Sequence, residues 1–211
     1  MTARRLLHIT IALIAWAAVL VQLVLSVSHG LARGESLARA LGDYFGYFTI
    51  LTNLLVACVL TVPSLAPSSA AGRWLADARV TWSAAAAIVL VGVAYHLLLS
   101  QLFNPTGLEA VTDLGLHYLV PPLYTLYWVA FADAPALAWP RAALPLALYP
   151  LGYFAVIMGR GAVVGRYPYF FVDVGQLGFP AAFRNALGLL ACYLVVAWLL
   201  QRAARLRRVP A

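Results

Sequence analysis

Charged residues are scarce in this chain of 211 residues. They make up 10% of it, whereas 64% of the residues are hydrophobic. A soluble domain needs about a quarter of its residues charged to maintain a surface in water. One soluble core of this size also cannot hide so much apolar surface. The composition therefore excludes an ordinary soluble domain and indicates that lipid surrounds most of the protein.

Lysine is absent, so all 14 basic residues are arginines, and the formal net charge is +7. The arginines stand at the ends of apolar stretches, which is the pattern of membrane anchoring and not of a nucleic-acid-binding face. We therefore expect membrane lipids and no nucleic acid as partners. Arginine in place of lysine, together with abundant alanine, is typical of a GC-rich bacterial genome.

Motifs for metal, redox or nucleotide chemistry are missing. The two cysteines, Cys58 and Cys192, lie in separate apolar stretches and form no CxxC pair. The sequence has no HExxH or HxxxH spacing, no P-loop and no dinucleotide glycine fingerprint. It also has no GxSxG elbow of a serine hydrolase. We expect neither a metal ion nor a cofactor.

Six stretches are long and apolar enough to cross a bilayer, which takes about 20 residues. They cover residues 6–28, 44–62, 80–102, 114–134, 142–162 and 181–201. The connections are too short to hold another domain. The sequence therefore predicts one all-α domain over residues 1–211, a bundle of six transmembrane helices. The first stretch is too long for the apolar region of a signal peptide, so we interpret it as a retained helix.

The arginine positions also predict the orientation of the helices. With a cytoplasmic N-terminus, nine arginines lie at the inner side and five at the outer side. The nine inner ones are Arg4, Arg5, Arg73, Arg79, Arg141, Arg202, Arg205, Arg207 and Arg208. We therefore expect both termini in the cytoplasm and a multi-pass protein of the cell membrane.

Polar residues fall mainly in the predicted outer halves of the helices, although polar groups are costly in hydrocarbon. They form stripes at helical spacing. The stripes are Gln22, Ser26 and His29 on helix one, Gly42, Gly46, Thr49 and Asn53 on helix two, and His117, Pro121, Tyr124 and Trp128 on helix four. Pro121 and Pro122 predict a kink. We expect a polar cavity that opens toward the outer leaflet, walled by helices one to four and six.

Several of these side chains have both a chemical and a structural interpretation. His117 is suited to proton transfer near neutral pH, or to a hydrogen bond between helices. Thr49 or Thr52 is a potential nucleophile, or bonds back to its own helix. Asn53 is expected to bond across helices. His96 is a second candidate acid, base or ligand, without a carboxylate partner that would indicate a metal site.

The connection at residues 163–180 is rich in aromatic residues, glycine and proline, so we expect it at the membrane interface. Its Asp173 either orients a histidine, binds a polar headgroup or is simply solvated. Asn185 belongs to the same polar side, at the start of helix six. Tyr167, Tyr169, Phe170 and Phe171 are expected to form an interface belt.

Three segments together resemble a known family. They are YFTILTNLL from Tyr47, GLHYLVPPLY from Gly115 and GYFAVIMGRGAVVGRYPYFFVDVGQLG from Gly152. Their order, spacing and placement are similar to those of the androgen-induced-gene/ADTRP-like family of six-helix membrane proteins, and especially its bacterial relatives.

Eukaryotic members of that family are threonine-type hydrolases that cleave fatty acid esters of hydroxy fatty acids. The resemblance implies a nucleophile at Thr49 and a base at His117, with Thr52 as the alternative nucleophile. It also implies a lipid ester as substrate. Asn53, Tyr124 or His96 would donate a hydrogen bond to the oxyanion. The alternative is a binder or transporter of a lipid or small solute that carries out no reaction.

Overall fold

The computed structural model describes residues 2–207 except 134, 136, 137 and 140, and its secondary structure is helical. Arg208, and Ala134 at the end of the predicted fourth helix, lie outside the described residues. The α-helices are α1 (Ala3–Ala32), α2 (Leu37–Phe45), α3 (Phe48–Leu65), α4 (Ala70–Leu75), α5 (Ala78–Ala94), α6 (Gly107–Leu114), α7 (Val120–Phe131), α8 (Ala143–Val164), α9 (Val174–Leu177) and α10 (Phe179–Leu206). A π-helical segment, Tyr95–Leu99, continues α5, and a second one, Gly115–Leu119, joins α6 to α7.

Five of these helices are long and apolar enough to cross a membrane. They are Ala3–Ala32, Phe48–Leu65, Ala78–Leu99, Ala143–Val164 and Phe179–Leu206. They correspond to the predicted helices one, two, three, five and six. With the sparse charge of the chain, they identify a multi-pass membrane protein, and the all-α prediction is confirmed for the described residues.

The predicted fourth span is divided into α6, the π-helical segment Gly115–Leu119 and α7, and it is not among the five long helices. Pro121 and Pro122 are the second and third residues of α7, directly after the π-helical segment, and neither has a backbone N–H to donate to the preceding turn. The disturbance expected from these prolines thus takes the form of a π-helical turn just before them. The count of six spans and the cytoplasmic termini stay predictions.

The predicted second helix begins later than its apolar pattern indicates. Gly46 ends α2, and Tyr47 is extended (φ −83°, ψ 127°), so that α3 begins at Phe48. The prediction that Gly42 and Gly46 share one helix face with Thr49 was therefore wrong. Both glycines instead lie against Arg160: a Cβ atom on Gly46 would stand 3.5 Å from its guanidinium nitrogen Nη1.

Helix α5 lies at the centre of the bundle and packs against α3, α7 and α10. Its buried face is built from small side chains, and residues 84–87 are four alanines with no exposed surface. Gly92 continues this close approach, because a Cβ atom there would stand 3.1 Å from Pro121 Cβ and 3.2 Å from the His117 carbonyl oxygen. Small residues let membrane helices pack closely, which brings the His117 segment against α5.

The segment Gly107–Phe131 contains 25 residues, which is about 38 Å of helix at the usual rise. That length is sufficient to cross a bilayer, so we expect six crossings and both termini in the cytoplasm. A fluorescent-protein fusion at the C-terminus should fluoresce, and an alkaline phosphatase fusion there should be inactive. A phosphatase fusion after Asn104 is the matched control and should be active. Active phosphatase at both the C-terminus and Asn104 would mean five crossings.

Candidate functional site

A cavity of about 100 Å³ lies between the N-terminus of α3, the end of α5, α8 and α10. Most of its lining is aliphatic or aromatic, and the hydroxyl-bearing residues in it are Thr49, Tyr95, Tyr153 and Tyr169. Leu151, Phe183 and Leu187 also line it and are 42–46% exposed in the bundle. The cavity therefore opens sideways between α8 and α10, toward the bilayer.

This cavity differs from the predicted one. Its lining is apolar, and it includes residues of α8 but none of α1 or of the helical segment Gly107–Phe131. The polar stripe of α1 instead binds α6: the Thr112 hydroxyl donates to Gln22 Oε1 at 2.6 Å, and His29 Nδ1 lies 3.2 Å from Glu109 Oε1. These side chains bond one another and do not line this cavity, so the polar cavity with helices one and four in its wall stays a prediction.

Thr49 is the second residue of α3 and lies in the wall of the cavity with 9% exposure. No side chain caps this helix N-terminus from the preceding residue. The Thr49 amide donates instead to the Tyr169 hydroxyl at 3.4 Å, and the Thr49 side chain lies beside the same hydroxyl. Burial raises the pKa of Tyr169 to about 12, so the phenol keeps its proton and remains a donor.

Asn53 is fully buried one turn further along α3. Its amide nitrogen Nδ2 donates to the Thr49 carbonyl at 2.9 Å and to the Leu116 carbonyl at 3.2 Å. Because one nitrogen contacts both oxygens, they are at most about 6 Å apart. Asn53 thus ties the segment that carries Thr49 to the segment that carries His117. The predicted bond between helices is present in the contact with Leu116, and the other Nδ2 hydrogen bonds back within α3 to Thr49.

His117 lies in the π-helical segment and pairs with Asp113. Its Nδ1 atom is 3.0 Å from Asp113 Oδ1 and 3.2 Å from the Asp113 carbonyl oxygen. The imidazole is 11% exposed and stacks on the Tyr95 ring, with centroids 3.6 Å apart and planes 8° apart. The Tyr95 hydroxyl approaches the same carboxylate. A carboxylate at Nδ1 fixes the tautomer and leaves Nε2 as the basic nitrogen.

Thr49 and His117 do not hydrogen-bond each other within the described part of the chain. Tyr95 lines the cavity and His117 does not, and the two rings stack on each other. The shared contacts of Asn53 nevertheless keep the two backbone segments adjacent.

The other predicted site residues of the helices lie away from this cavity. Thr52 is fully buried, and its hydroxyl is 3.0 Å from the hydroxyl of Tyr149. Tyr124 reaches the Thr81 carbonyl at 3.4 Å, near the opposite end of α5. His96 is exposed and has Nδ1 3.4 Å from the Tyr118 hydroxyl. The structure does not bring these three side chains to Thr49.

Asp173 and Asn185 hold the connection between α8 and α10 in place. Asp173 caps α9, because its Oδ1 accepts from the amides of Gly175 and Gln176 at 2.9 and 3.2 Å. Asn185 Nδ2 donates to the Phe171 carbonyl at 2.9 Å. The connection folds back, so that Tyr169, Phe171 and Val172 line the cavity. Tyr169 and Phe171, expected in an interface belt, are therefore part of the cavity wall.

Two residues of this site were not recognised as such from the sequence. Asp113 precedes His117 by four residues, which is one helical turn, and that spacing is the signal that could have found the pair. Tyr169 comes to Thr49 across 120 residues through the folding of a loop, and no local sequence pattern indicates this contact.

Comparisons of the chain with protein-family models, with curated proteins and with solved structures find no match. The resemblance to the androgen-induced-gene/ADTRP-like family therefore stays a prediction from the residues that carry it.

The change Asn53→Ala removes the amide that joins α3 to the His117 segment. We expect it to lower the apparent unfolding temperature in detergent by about 5 °C, because two buried carbonyls lose a donor. The matched control is Thr61→Ala on the same helix, since the Thr61 hydroxyl only bonds back to the Ala57 carbonyl. Equal losses in both variants would show that the Asn53 bridge contributes nothing particular to stability.

Proposed function

We propose that this membrane protein hydrolyses lipid esters, with Thr49 as nucleophile and His117 as general base. The observation that carries the proposal is the placement of Thr49 in the wall of an apolar cavity that opens to the bilayer, next to a segment with a histidine paired to a carboxylate. An apolar cavity of this kind suits an acyl chain, and an ester carbonyl at its end would meet the Thr49 hydroxyl.

The cavity supports Thr49 over Thr52 as the nucleophile. Thr49 lines it, whereas the Thr52 hydroxyl is paired with the phenol of Tyr149 in the core. Thr49 also stands in the first turn of α3, where backbone N–H groups have no partner within the helix and the helix dipole favours negative charge.

The N-terminus of α3 provides a candidate oxyanion site. The Tyr169 hydroxyl accepts a hydrogen bond from the Thr49 amide, keeps its own proton and lies beside the Thr49 side chain. A donor placed in this way stabilises the negative charge that develops on a carbonyl oxygen during acyl transfer. Tyr169 takes the role that the sequence predicted for Asn53, Tyr124 or His96.

The reaction follows the usual course of acyl transfer. His117 Nε2 accepts the hydroxyl proton of Thr49 as its oxygen attacks the ester carbonyl. The ester C–O bond breaks, the alcohol leaves with the proton from His117, and an acyl-threonine remains. His117 then takes a proton from water as the water oxygen attacks the acyl-threonine, and the acyl–oxygen bond to Thr49 breaks. His117 returns the proton to the Thr49 oxygen, and the carboxylic acid is released. Substrate binding must bring Thr49 and His117 within about 3 Å, since catalytic hydrogen bonds are often long in an empty site.

A second candidate function is the binding or transport of a lipid without reaction. The absence of His117 from the lining of the cavity, which its stacking partner Tyr95 does line, favours this alternative. It requires that a lipid be retained and recovered chemically unchanged.

Hydrolysis is tested with a fluorophosphonate probe and a fatty acid ester of a hydroxy fatty acid. We expect Thr49→Ala to lower labelling and turnover at least about a thousandfold, because the nucleophile is lost. Thr52→Ala is the matched control and should retain most of the activity. If the Thr49→Ala, Thr52→Ala double variant labels and turns over like the wild type, the mechanism is wrong. Unchanged lipid in the wild-type protein would favour the binder.

The pairing of His117 with Asp113 gives a separate test. We expect Asp113→Asn to lower kcat by about 10²–10⁴-fold with little effect on KM, because the imidazole loses the carboxylate that sets its tautomer. Glu109→Gln is the matched control, since Glu109 stands one turn earlier and pairs with His29. A similar loss in both variants would contradict the proposed role of Asp113.

A further inference from the structure

A network of arginines and carboxylates lies at the end of the bundle where α3 begins. Glu35 is within 4 Å of Arg33, Arg39 and Arg166, and Asp43 pairs with Arg160 and Arg166. Arg160 is the most buried of the guanidinium groups in these pairs, with 21% of its side chain exposed. The network joins α2, the C-terminal part of α8 and the connection that follows α8.

This arginine network carries an excess of positive charge. Four guanidinium groups share two carboxylates, so two positive charges have no counterpart among the contacts of the described residues. Arg166 is half exposed and so accessible to a ligand. Guanidinium groups match the oxygens of carboxylates and phosphates, so the network is complementary to an oxyanion.

The network stands directly over the cavity. The Tyr153 hydroxyl, which belongs to a cavity-lining residue, donates to the Gly46 carbonyl at 2.8 Å, and Gly46 lies against Arg160. Arg160 also follows the lining residue Ile157 by three positions on α8, which is about 4.5 Å along the helix axis. One molecule can therefore occupy the cavity with an apolar chain and reach the arginines with its headgroup.

We infer that the arginine network binds the oxyanion headgroup of an amphiphile whose apolar chain occupies the cavity. The ligand class is a long-chain lipid with a carboxylate or phosphate at one end. Arg160 and Arg166 contact the headgroup, and Asp43 holds both guanidinium groups in place. The inference deepens the proposed function, on which it rests for the assignment of the cavity as the lipid site, because it assigns a binding site to the charged end of the lipid.

The experiment measures binding to purified protein in neutral detergent, in the Thr49→Ala background so that turnover plays no part. The three ligands are hexadecanoate at pH 9, the neutral hexadecan-1-ol of equal chain length, and inorganic phosphate. The variants are Arg160→Gln and Arg166→Gln. Arg5→Gln is the matched control, because Arg5 is exposed and lies at the other end of the bundle.

We expect hexadecanoate to bind about tenfold more weakly to each network variant, because a charge-assisted hydrogen bond is lost. Binding of the alcohol should not change, phosphate alone should bind far more weakly than hexadecanoate, and Arg5→Gln should behave like the parent. Arg166 is half exposed, so we expect its replacement to disturb packing less than that of Arg160, and the Arg166→Gln variant tests the inference if Arg160→Gln does not fold.

Three outcomes would overturn the inference. Equal losses for acid and alcohol would show a structural role for the arginines. Unchanged hexadecanoate binding in both variants would show that the headgroup lies elsewhere. Phosphate binding as strong as that of hexadecanoate would show a free-anion site unconnected to the cavity. None of these results depends on hydrolysis, so a failure of the proposed reaction remains distinguishable from a failure of headgroup binding.

Discussion

The arrangement around Thr49 depends on one buried amide. Asn53 has no exposed surface and donates to carbonyls of two segments that are 63 residues apart in sequence. In hydrocarbon no water replaces such a donor, so the two segments keep their distance as long as the Nδ2 group makes both bonds. The wall of the cavity, the start of α3 and the turn that carries His117 are held to one another by this contact.

The ends of the bundle differ chemically. Five of the seven acidic residues of the chain belong to segments near the start of α3, and four of the five pair with an arginine or a histidine. They are Glu35, Asp43, Glu109, Asp113 and Asp173. Ionised groups persist at a membrane interface when they are paired or reach water. Charged side chains therefore lie beside an apolar cavity at this end of the bundle. The same site can contact both the polar and the apolar part of a ligand.

The sequence predicted the long helices and the side of the bundle that carries the polar groups, because both follow from hydropathy and helical spacing. It could not predict that Gly46 and Tyr47 break the second helix, since the apolar pattern continues through them. The contact of Tyr169 with Thr49 depends on how the connection after α8 folds back, and the position of Thr52 depends on the phenol of Tyr149. Both contacts arise from tertiary packing, and no local sequence pattern indicates them. The Asp113–His117 pair had such a signal in its spacing.

The two π-helical segments, Tyr95–Leu99 and Gly115–Leu119, meet where Tyr95 stacks on His117. A π-helical turn accommodates one more residue than an α-helical turn, and such turns are frequent at functional sites. Each segment can thus be understood as a single-residue insertion into a regular helix. Deleting one residue from either segment would restore a plain α-helix and change how the segment presents its aromatic ring to the other segment. The orientation of both rings therefore depends on the number of residues in each segment. Point substitutions at neighbouring positions do not change that number.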